Sequence, residues 1–575
     1  MMATVGETIV GAIADLGVSC VWGVVGDALN PITDAVRREP RLEWIGVRHE
    51  EAGAFAAGAQ AQLSGTPGVC MGTVGPGCLH LLNGLYDAKK SHAPMLAICG
   101  QVPLAELGSD FFQEIDNDAV FRDVAVFCRT ITSPEQLPGL LEQAIHAATD
   151  APGVAVLTVP GDIGAMDAPP RRPWGARTRG AVVPEPSQVA EAARRIDSAA
   201  TVTLLVGQGS RHARTEVLAL ADRLGAPMVL TLKAKEVLER DNPYAVGQSG
   251  LIGNPAAQRA FDGCDLLLML GTDFPYSDWY PTGKQVIQID DRPTHIGRRT
   301  AVDLGIVGDT RLAVAELLTR VEPKTDRGHL ESAIGHYADW RERQSQLADP
   351  GYDSRGVIEK VRSVFDNPDD RIRPEAVAVA IDRLASEQTI FTSDTGMSTV
   401  WLSRFVTMSG ERRLLGSYNL GSMANAMPQA LGAQALDRAR EVIAFCGDGG
   451  LTMLMGDLIT AVTYELPVRL VVFNNGRLGM VKLEQEQAGM PEFGTHLADV
   501  DIAAIARGTG MLALRVEQSA ELDEAVRVAL AHPGPVLLDV VTNPDEVSLP
   551  PKVKPAQAWG FAIAKLTEVV ESRSG

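Results

Sequence analysis

Cysteine is scarce and scattered: Cys20, Cys70, Cys78, Cys99, Cys128, Cys264 and Cys446 are the only seven in 575 residues, and no two form a CxxC pair. That pattern excludes a disulfide scaffold and a thiolate metal site, and it fits small buried side chains in a reducing compartment. A surplus of positive charge is also lacking. Lys and Arg number 52 against 72 Asp and Glu, a formal charge of −20. This argues against a nucleic-acid partner and for a solvated surface in the cytoplasm. No apolar run approaches the roughly 18–20 residues of a membrane helix. No basic segment followed by an apolar one opens the chain, so no secretory signal is expected. A full GxGxxG fingerprint is missing, which leaves a Rossmann dinucleotide site unsupported. What remains is the composition of a globular protein, 45% hydrophobic and 22% charged, long enough for several domains.

The most informative stretch runs from Val442 to Asn475. Val442-Ile443-Ala444-Phe445-Cys446 is an apolar run of strand length, followed by Gly447-Asp448-Gly449-Gly450. Helical spacing is expected over 453–464, and a second strand over 468–473, ending at Asn474-Asn475. Such a unit closes with a right-handed crossover, so its strands are parallel neighbours. Both loops then fall at the carboxyl ends of the strands, the ligand edge of an open α/β sheet. Asp448 and Asn475, 27 residues apart in sequence, meet at that edge. A carboxylate and an amide oxygen suit a hard cation such as Mg²⁺, which completes its shell with water and phosphate oxygens. Gly449 and Gly450 let backbone N–H groups approach an anion. A tight turn followed by a polar strand end is the competing reading; the paired Asn-Asn favours a metal-bridged diphosphate.

Strands are expected at 19–25, 69–74, 95–99 and 155–159, alternating with helical segments at 8–16, 52–63 and 78–90. Alternation of this kind predicts a parallel sheet covered on both faces. The pattern restarts at 202–206, 227–230, 266–270 and 286–289, after a Pro- and Arg-rich linker at 166–187, and again at 389–392. The resulting reading is α/β, with three doubly wound parallel-sheet domains. Their expected limits are 1–170, 185–340 and 355–548, with a polar helix at 328–347 and a C-terminal tail at 549–575.

Several residues stand out on this frame. Glu50 closes an extended piece before an Ala-rich helix. It is either a first-turn acid favoured by the helix dipole or a catalytic acid held in an apolar wall, where Ala52, Ala54, Phe55, Ala56 and Ala57 would raise its pKa if it were buried. Gly75-Pro76-Gly77 allows close backbone approach to a ligand, or makes a plain turn. Phe112 and Gln113 fall in a loop-like stretch, 108–117, and His80 and His92 are candidate site residues, with a satisfied structural histidine the favoured reading of each. Gly207-Gln208-Gly209-Ser210, Gly271-Thr272-Asp273-Phe274-Pro275 and Asp290-Asp291 sit at successive strand ends, where small and acidic residues suit ribose and pyrophosphate. Beyond Asn475, a helix would put Met480 and Glu484 on one face, four apart. Glu484 is then an acid/base or substrate-binding carboxylate and Met480 a pocket wall, or both are ordinary exposed helix residues. Met423, in Gly421-Ser422-Met423, reads as core filler when taken alone.

Gly447-Asp448-Gly449, with Asn474-Asn475 at this distance, resembles the signature of thiamine-diphosphate enzymes, and the similarity extends over nearly the whole chain. Four segments resemble the branch of pyruvate oxidase and quinone-dependent pyruvate dehydrogenase. They are Phe111-Phe112-Gln113-Glu114, Asp241-Asn242-Pro243-Tyr244, Gly421-Ser422-Met423-Ala424-Asn425-Ala426-Met427-Pro428 and Met453-Leu454-Met455-Gly456-Asp457. The resemblance implies thiamine diphosphate, Mg²⁺ and FAD as cofactors. It implies Asp448, Asn475 and the carbonyl of Arg477 as metal ligands, with Gly421, Ser422, Gly449 and Gly450 around the cofactor. Glu50, in Arg48-His49-Glu50-Glu51, would hydrogen-bond the aminopyrimidine ring. Met423 would be the wedge between the two cofactor rings, and Phe112 and Gln113 would lie near the reacting carbon. The middle block resembles the FAD domain of bacterial pyruvate oxidases, implying Ser249, Gly250, Leu251, Ile252, Gly271, Thr272, Asp273, Phe274, Pro275, Asp290 and Asp309 at the flavin nucleotide. Acetolactate synthases carry a related domain. Where the family has an aromatic, this chain has Met480.

The implied reaction is oxidative decarboxylation of pyruvate, or a close 2-keto acid, to acetate or acetyl phosphate and CO₂. Electrons would pass through FAD to a quinone or oxygen. The alternative is a non-redox carboligase with structural FAD. A binding protein on the same fold would be expected to lack Glu50, Asp448 or Asn475, and all three are present. In the family, Glu50 and Asp448 meet across a subunit interface, which implies a homodimer or homotetramer. The stretch 562–570 is only weakly amphipathic, so at most weak peripheral membrane contact is expected.

Overall fold

The computed structural model describes residues 2–171, 180–349, 351–352, 367 and 369–546. The expected tail at 549–575, the middle of the linker and the expected start of the third domain at 355 lie outside the described residues. Among the described residues no helix is long and apolar enough to cross a membrane.

Continuous apolar runs such as Leu266–Leu270 and Val442–Gly447 have no polar alternation because helices cover their sheets on both faces. They build three six-stranded sheets, parallel throughout. From edge to edge, the first is Glu43–Gly46, Cys20–Gly23, Gly68–Gly72, Met95–Gln101, Val154–Pro160 and Ala125–Thr130. The third is Arg413–Gly416, Ile390–Ser393, Val442–Gly447, Arg469–Asn474, Val536–Val541 and Leu512–Val516. Numbered by chain order within each sheet, both read 2-1-3-4-6-5. The middle sheet is Leu304–Val307, Gln285–Asp290, Leu266–Leu270, Val202–Val206, Met228–Leu230 and Ala245–Gln248. Its order, 6-5-4-1-2-3, is that of a doubly wound dinucleotide-binding sheet. The missing GxGxxG therefore did not signal a different topology.

Two expected helices are corrected. The segment 453–464 is broken into Asp448–Leu454, a 3-10 turn at Met455–Asp457, and Leu458–Thr463. Asp457 is the reason: its Oδ1 accepts the Arg48 N–H at 2.8 Å and the Thr460 hydroxyl at 2.7 Å, tying the break to the first domain. The segment 78–90 divides into Pro76–His80 and Leu82–Ser91.

The first and third domains dock through two Ala-rich helices, Glu50–Ser64 and Ala426–Leu436, each buried along most of its length. A Cβ on Gly432 would lie 2.1 Å from the Ala56 carbonyl oxygen, so only glycine permits this approach. Tyr464 adds a hydroxyl that accepts the Gly46 N–H at 2.7 Å. All three domains meet around Asp87, whose Oδ2 accepts Gln429 Nε2 at 3.0 Å, and around Lys233, whose Nζ donates to Ser91 Oγ at 3.1 Å.

Burial pushes Asp87 up to about 6, from an ordinary 3.8. A carboxyl raised on folding contributes its full stability below the unfolded value and loses it as pH rises through 6. At about 1.4 kcal/mol per pH unit, the cost at neutral pH is about 3 kcal/mol. Asp87→Asn is therefore expected to raise the thermal unfolding midpoint at pH 8 and to leave it unchanged or lower at pH 4, measured by calorimetry.

Candidate active site

In the third sheet the connections leaving Ile390–Ser393 and Val442–Gly447 part, and a crevice opens at their carboxyl ends. A pocket of about 250 Å³ occupies it. Its walls come from the loops after three neighbouring strands, Asp394-Thr395-Gly396, Gly447 to Gly450, and Asn475 with Arg477. Gly421 and Met423 close one side, and Met480, Val481 and Glu484, from the helix Gly479–Gln487, close another. A Cβ on Gly396, Gly421 or Gly447 would meet nothing within 4 Å, so backbone faces open space there. Gly421, at φ +81°, also holds a conformation that favours glycine.

Asp448 is buried, with Oδ1 accepting the Gly449 N–H at 2.8 Å and Oδ2 the Gly476 N–H at 2.6 Å. Burial pushes its carboxyl up to about 6. Backbone N–H groups, not a side-chain cation, hold this anion, which is the setting a bound metal ion would relieve. Asn475 Oδ1 accepts the Arg477 N–H at 3.0 Å, and Gly476, at φ +67°, turns the chain between them. Asn474 is turned the other way. Its Nδ2 donates to Asp539 Oδ1 at 2.9 Å, and Asp539 is itself paired with Arg515 at 2.9 Å. Only the second asparagine is left at the pocket. Among the described residues no cluster of three His, Cys, Asp or Glu could hold a metal alone. A cation at Asp448 would draw on amide and carbonyl oxygens, water and phosphate. The donor set fits Mg²⁺.

Asp394 had no role in the sequence reading, although its place at a strand end was visible. It is buried, accepts the Ala426 N–H at 2.9 Å and the Gly447 N–H at 3.2 Å, and is pushed up to about 7 by burial. A Cβ on Gly450 would lie 2.4 Å from its Oδ2. Asp394 therefore binds the two lips of the crevice together. Met397 and Trp401, also unforeseen, line the pocket. Met423 Cε would lie 3.6 Å from a Cβ on Gly449, and its neighbour Ala424 sits at φ +64°, a strained position for a residue with a Cβ. Ser422 is turned toward the first domain, its hydroxyl accepting Asn83 Nδ2 at 2.8 Å.

Glu50 opens its helix and is 6% exposed, so it is both a first-turn acid and a buried one. Its Oε2 is 2.9 Å from His80 Nδ1, which gives His80 a place at this group, and the His80 ring stacks on His49 at 4.2 Å. A Cβ on Gly77 would lie 3.0 Å from Glu50 Oε1, and one on Gly75 2.7 Å from the Gln113 carbonyl oxygen. Gln113 itself is held at φ +66°, and Phe112 beside it is 78% exposed. Glu50, Gly75, Gly77 and Gln113 thus form one cluster. None of them lines the third-domain pocket within the chain. His92 lies elsewhere, 2.7 Å from Arg292 at the domain junction, and burial pushes it down to about 3.

At the switch point of the middle sheet, Gly207, Gly209 and Gly271 pack backbone to backbone. A Cβ on Gly207 would lie 2.4 Å from the Gly271 oxygen, and Gly271 is at φ +58°. Thr272 Oγ1 accepts the Phe274 N–H at 3.1 Å, Asp273 Oδ2 accepts Arg298 Nη1 at 2.9 Å, and Pro275 continues the loop. Asp290 Oδ1 accepts the Arg292 N–H at 2.9 Å, while Asp309 caps the helix Thr310–Leu318 through the Leu312 N–H at 3.1 Å. Gln248 Nε2 and Ser249 Oγ are buried without a hydrogen-bond partner. Two orphaned polar groups at the same edge of the sheet as these glycines fit a nucleotide such as FAD. The turn carrying Ser249, Gly250, Leu251 and Ile252 reaches the third domain: Ile252 packs on its core, and the Gly253 carbonyl accepts Arg404 Nη2 at 3.2 Å. Tyr276 packs over Gly250, and its hydroxyl is pushed up by burial and then by Glu484 across the domain boundary.

Comparison with known sequences also finds three parts in the chain. Models of thiamine pyrophosphate enzymes match in three parts: the N-terminal TPP binding domain over residues 3–120, the central domain over 189–317 and the C-terminal TPP binding domain over 394–540. The chain belongs to the thiamine pyrophosphate enzyme family. Among its relatives is a Bacillus subtilis protein, YdaP, provisionally named as thiamine pyrophosphate-containing, 38% identical over 99% of this chain and 97% of its own length. A pyruvate oxidase of Lactiplantibacillus plantarum is 30% identical over 94% of this chain and 89% of its own. An acetolactate synthase of Mycobacterium bovis is also 30% identical, over 97% and 89%.

Proposed function

We propose that the protein oxidatively decarboxylates pyruvate, or a close 2-keto acid, passing the electrons through FAD to a quinone or oxygen. The observation that carries this reading is the contact between the middle and third domains, where the Gly253 carbonyl accepts Arg404 Nη2 and Ile252 packs on the third-domain core, Arg404 lying on the helix Met397–Phe405 whose Met397 and Trp401 line the pocket. FAD held by that turn would adjoin the domain that carries the pocket, which electron transfer from the reaction site requires. The pyruvate oxidase relative agrees with it. The acetolactate synthase relative, at equal identity, keeps a second reading open: non-redox joining of two 2-keto acids with a structural FAD.

Bound thiamine diphosphate would supply the electron sink for decarboxylation, and bound FAD the two-electron acceptor. Asp448, Asn475 and the Arg477 carbonyl hold Mg²⁺ in this scheme, and Gly421, Gly449 and Gly450 admit the diphosphate. Met423, Met480 and Trp401 exclude water from the reacting end. Glu484 holds or returns a proton at the substrate's keto oxygen. We take Glu50 from a second copy of the chain, since none of the first-domain cluster lines the pocket within one copy, and there it would exchange a proton with the aminopyrimidine ring. The working unit is therefore a homodimer or homotetramer, which we place in the cytoplasm. The domain limits we propose are 1–170, 185–340 and 355–548.

Visible spectra test the scheme. Purified protein should show flavin absorbance that bleaches within seconds of adding pyruvate, thiamine diphosphate and Mg²⁺ without oxygen. Consumption of pyruvate with the flavin band intact would favour the carboligase, and a colourless protein would remove FAD from the scheme.

A further inference from the structure

We propose that Glu492 is a positioning residue that holds the Arg477 guanidinium away from the cation site, and so makes diphosphate binding depend on a divalent metal. The inference rests on reading Asp448 and Asn475 as that site.

Arg477 presents a difficulty for such a site. Its backbone stands beside Asn475, and its residue lines the pocket. A guanidinium binds phosphate oxygens bidentately and repels a nearby cation. Left free, this side chain would take the diphosphate oxygens that Mg²⁺ needs and weaken Mg²⁺ binding by like charge. It is not free. Arg477 Nη1 is ion-paired with Glu492 Oε2, and both side chains are largely shielded from solvent.

The position of Glu492 is itself fixed. Its Oε1 accepts the Thr495 hydroxyl at 2.5 Å. Residues 492–497 run back along the metal loop as a short antiparallel strap. The Leu478 N–H donates to the Thr495 carbonyl and the Leu497 N–H to the Gly476 carbonyl, each at 2.8 Å, and Arg477 pairs with His496. The strap therefore delivers one carboxylate to one guanidinium beside the cation loop.

The same carboxylate lies 3.8 Å from Lys482 Nζ, which is 2% exposed and also pairs with Asp545 at 2.5 Å. Lys482 projects from the back of the helix whose front carries Met480 and Glu484. Glu492 thus touches the supports of both the metal loop and the reaction helix.

The test is thiamine diphosphate binding by the full chain, read by titration calorimetry across a Mg²⁺ series and in EDTA. Glu492→Gln keeps the shape and removes the charge. It should raise the Mg²⁺ concentration for half-saturation at least tenfold and tighten binding in EDTA at least threefold, as Arg477 turns to the diphosphate. Arg477→Met combined with Glu492→Gln removes the guanidinium but not the Arg477 backbone carbonyl. It should restore the parent's Mg²⁺ requirement, and Glu492→Asp should lie between. Parent-like values within twofold in Glu492→Gln would overturn the proposal. So would a double variant as impaired as the single one, since Glu492 would then act through the strap alone. If the parent itself binds without any divalent requirement, the metal-site reading falls and this inference with it. If the parent requires the metal and Glu492→Gln matches it, only this inference falls.

Discussion

Glu50→Gln should lower turnover of the 2-keto acid by about 10²–10⁴-fold, the range lost when a positioned acid–base group is removed, while thiamine diphosphate affinity stays near the parent's. The amide matches the carboxyl in size and can still receive a hydrogen bond from His80, so the helix start and the Gly77 contact survive. What it cannot do is give up and take back a proton. In the proposed scheme the cofactor is held mostly at its diphosphate end, on another domain, so affinity and turnover should separate. Calorimetric binding and steady-state rates on one preparation check this. A variant with more than half the parent's rate would remove Glu50 from the mechanism.

Asp448→Ala should have the opposite signature. Losing one partner of a buried charge pair costs about 2–5 kcal/mol, so Mg²⁺-dependent affinity for thiamine diphosphate should fall on the order of 100-fold or more. There is also a pH signature. Burial pushes the metal-free carboxyl up to about 6, above the ordinary carboxylate range, and only its ionised form binds a cation. Affinity in the parent should therefore weaken as pH falls through 6, and that acid limb should vanish in Asp448→Ala. Unchanged affinity in the variant would displace the metal from Asp448.

Much of this architecture was readable in the amino acids. Val202–Val206 and Leu266–Leu270 match their expected bounds because strands buried on both faces are apolar end to end. Edge strands escaped notice for the converse reason. Ala125–Thr130 is half-exposed and mixes Phe, Cys and Arg, which marks no period clearly. Asp448 and Asn475 were legible because each follows a strong apolar run at a distance that topology alone converts into proximity. Asp394 was not, because what makes it matter are N–H groups 32 and 53 residues further on. Glu492 lies in an irregular segment, where neither periodicity nor motif marks a side chain. That Glu50 does not line the pocket within one chain is a property of docking, and no local pattern carries it.

The helix pair that joins the first and third domains has a consequence for how the chain is made. Glu50–Ser64 is Ala-rich and buried nearly all round, and one of its covers is Ala426–Leu436. On a ribosome adding about 5–20 residues each second, the roughly 360 residues between them take on the order of 20–70 s to appear. For that interval the first domain is complete in its strands yet lacks a wall, and an apolar helix face waits in water. Synthesis that pauses or stops after the middle domain would release a soluble-looking sheet with an adhesive side, a natural client for chaperones. The glycine at 432 that makes the final contact so close also makes it the last step of assembly on which the earliest-made part of the site depends.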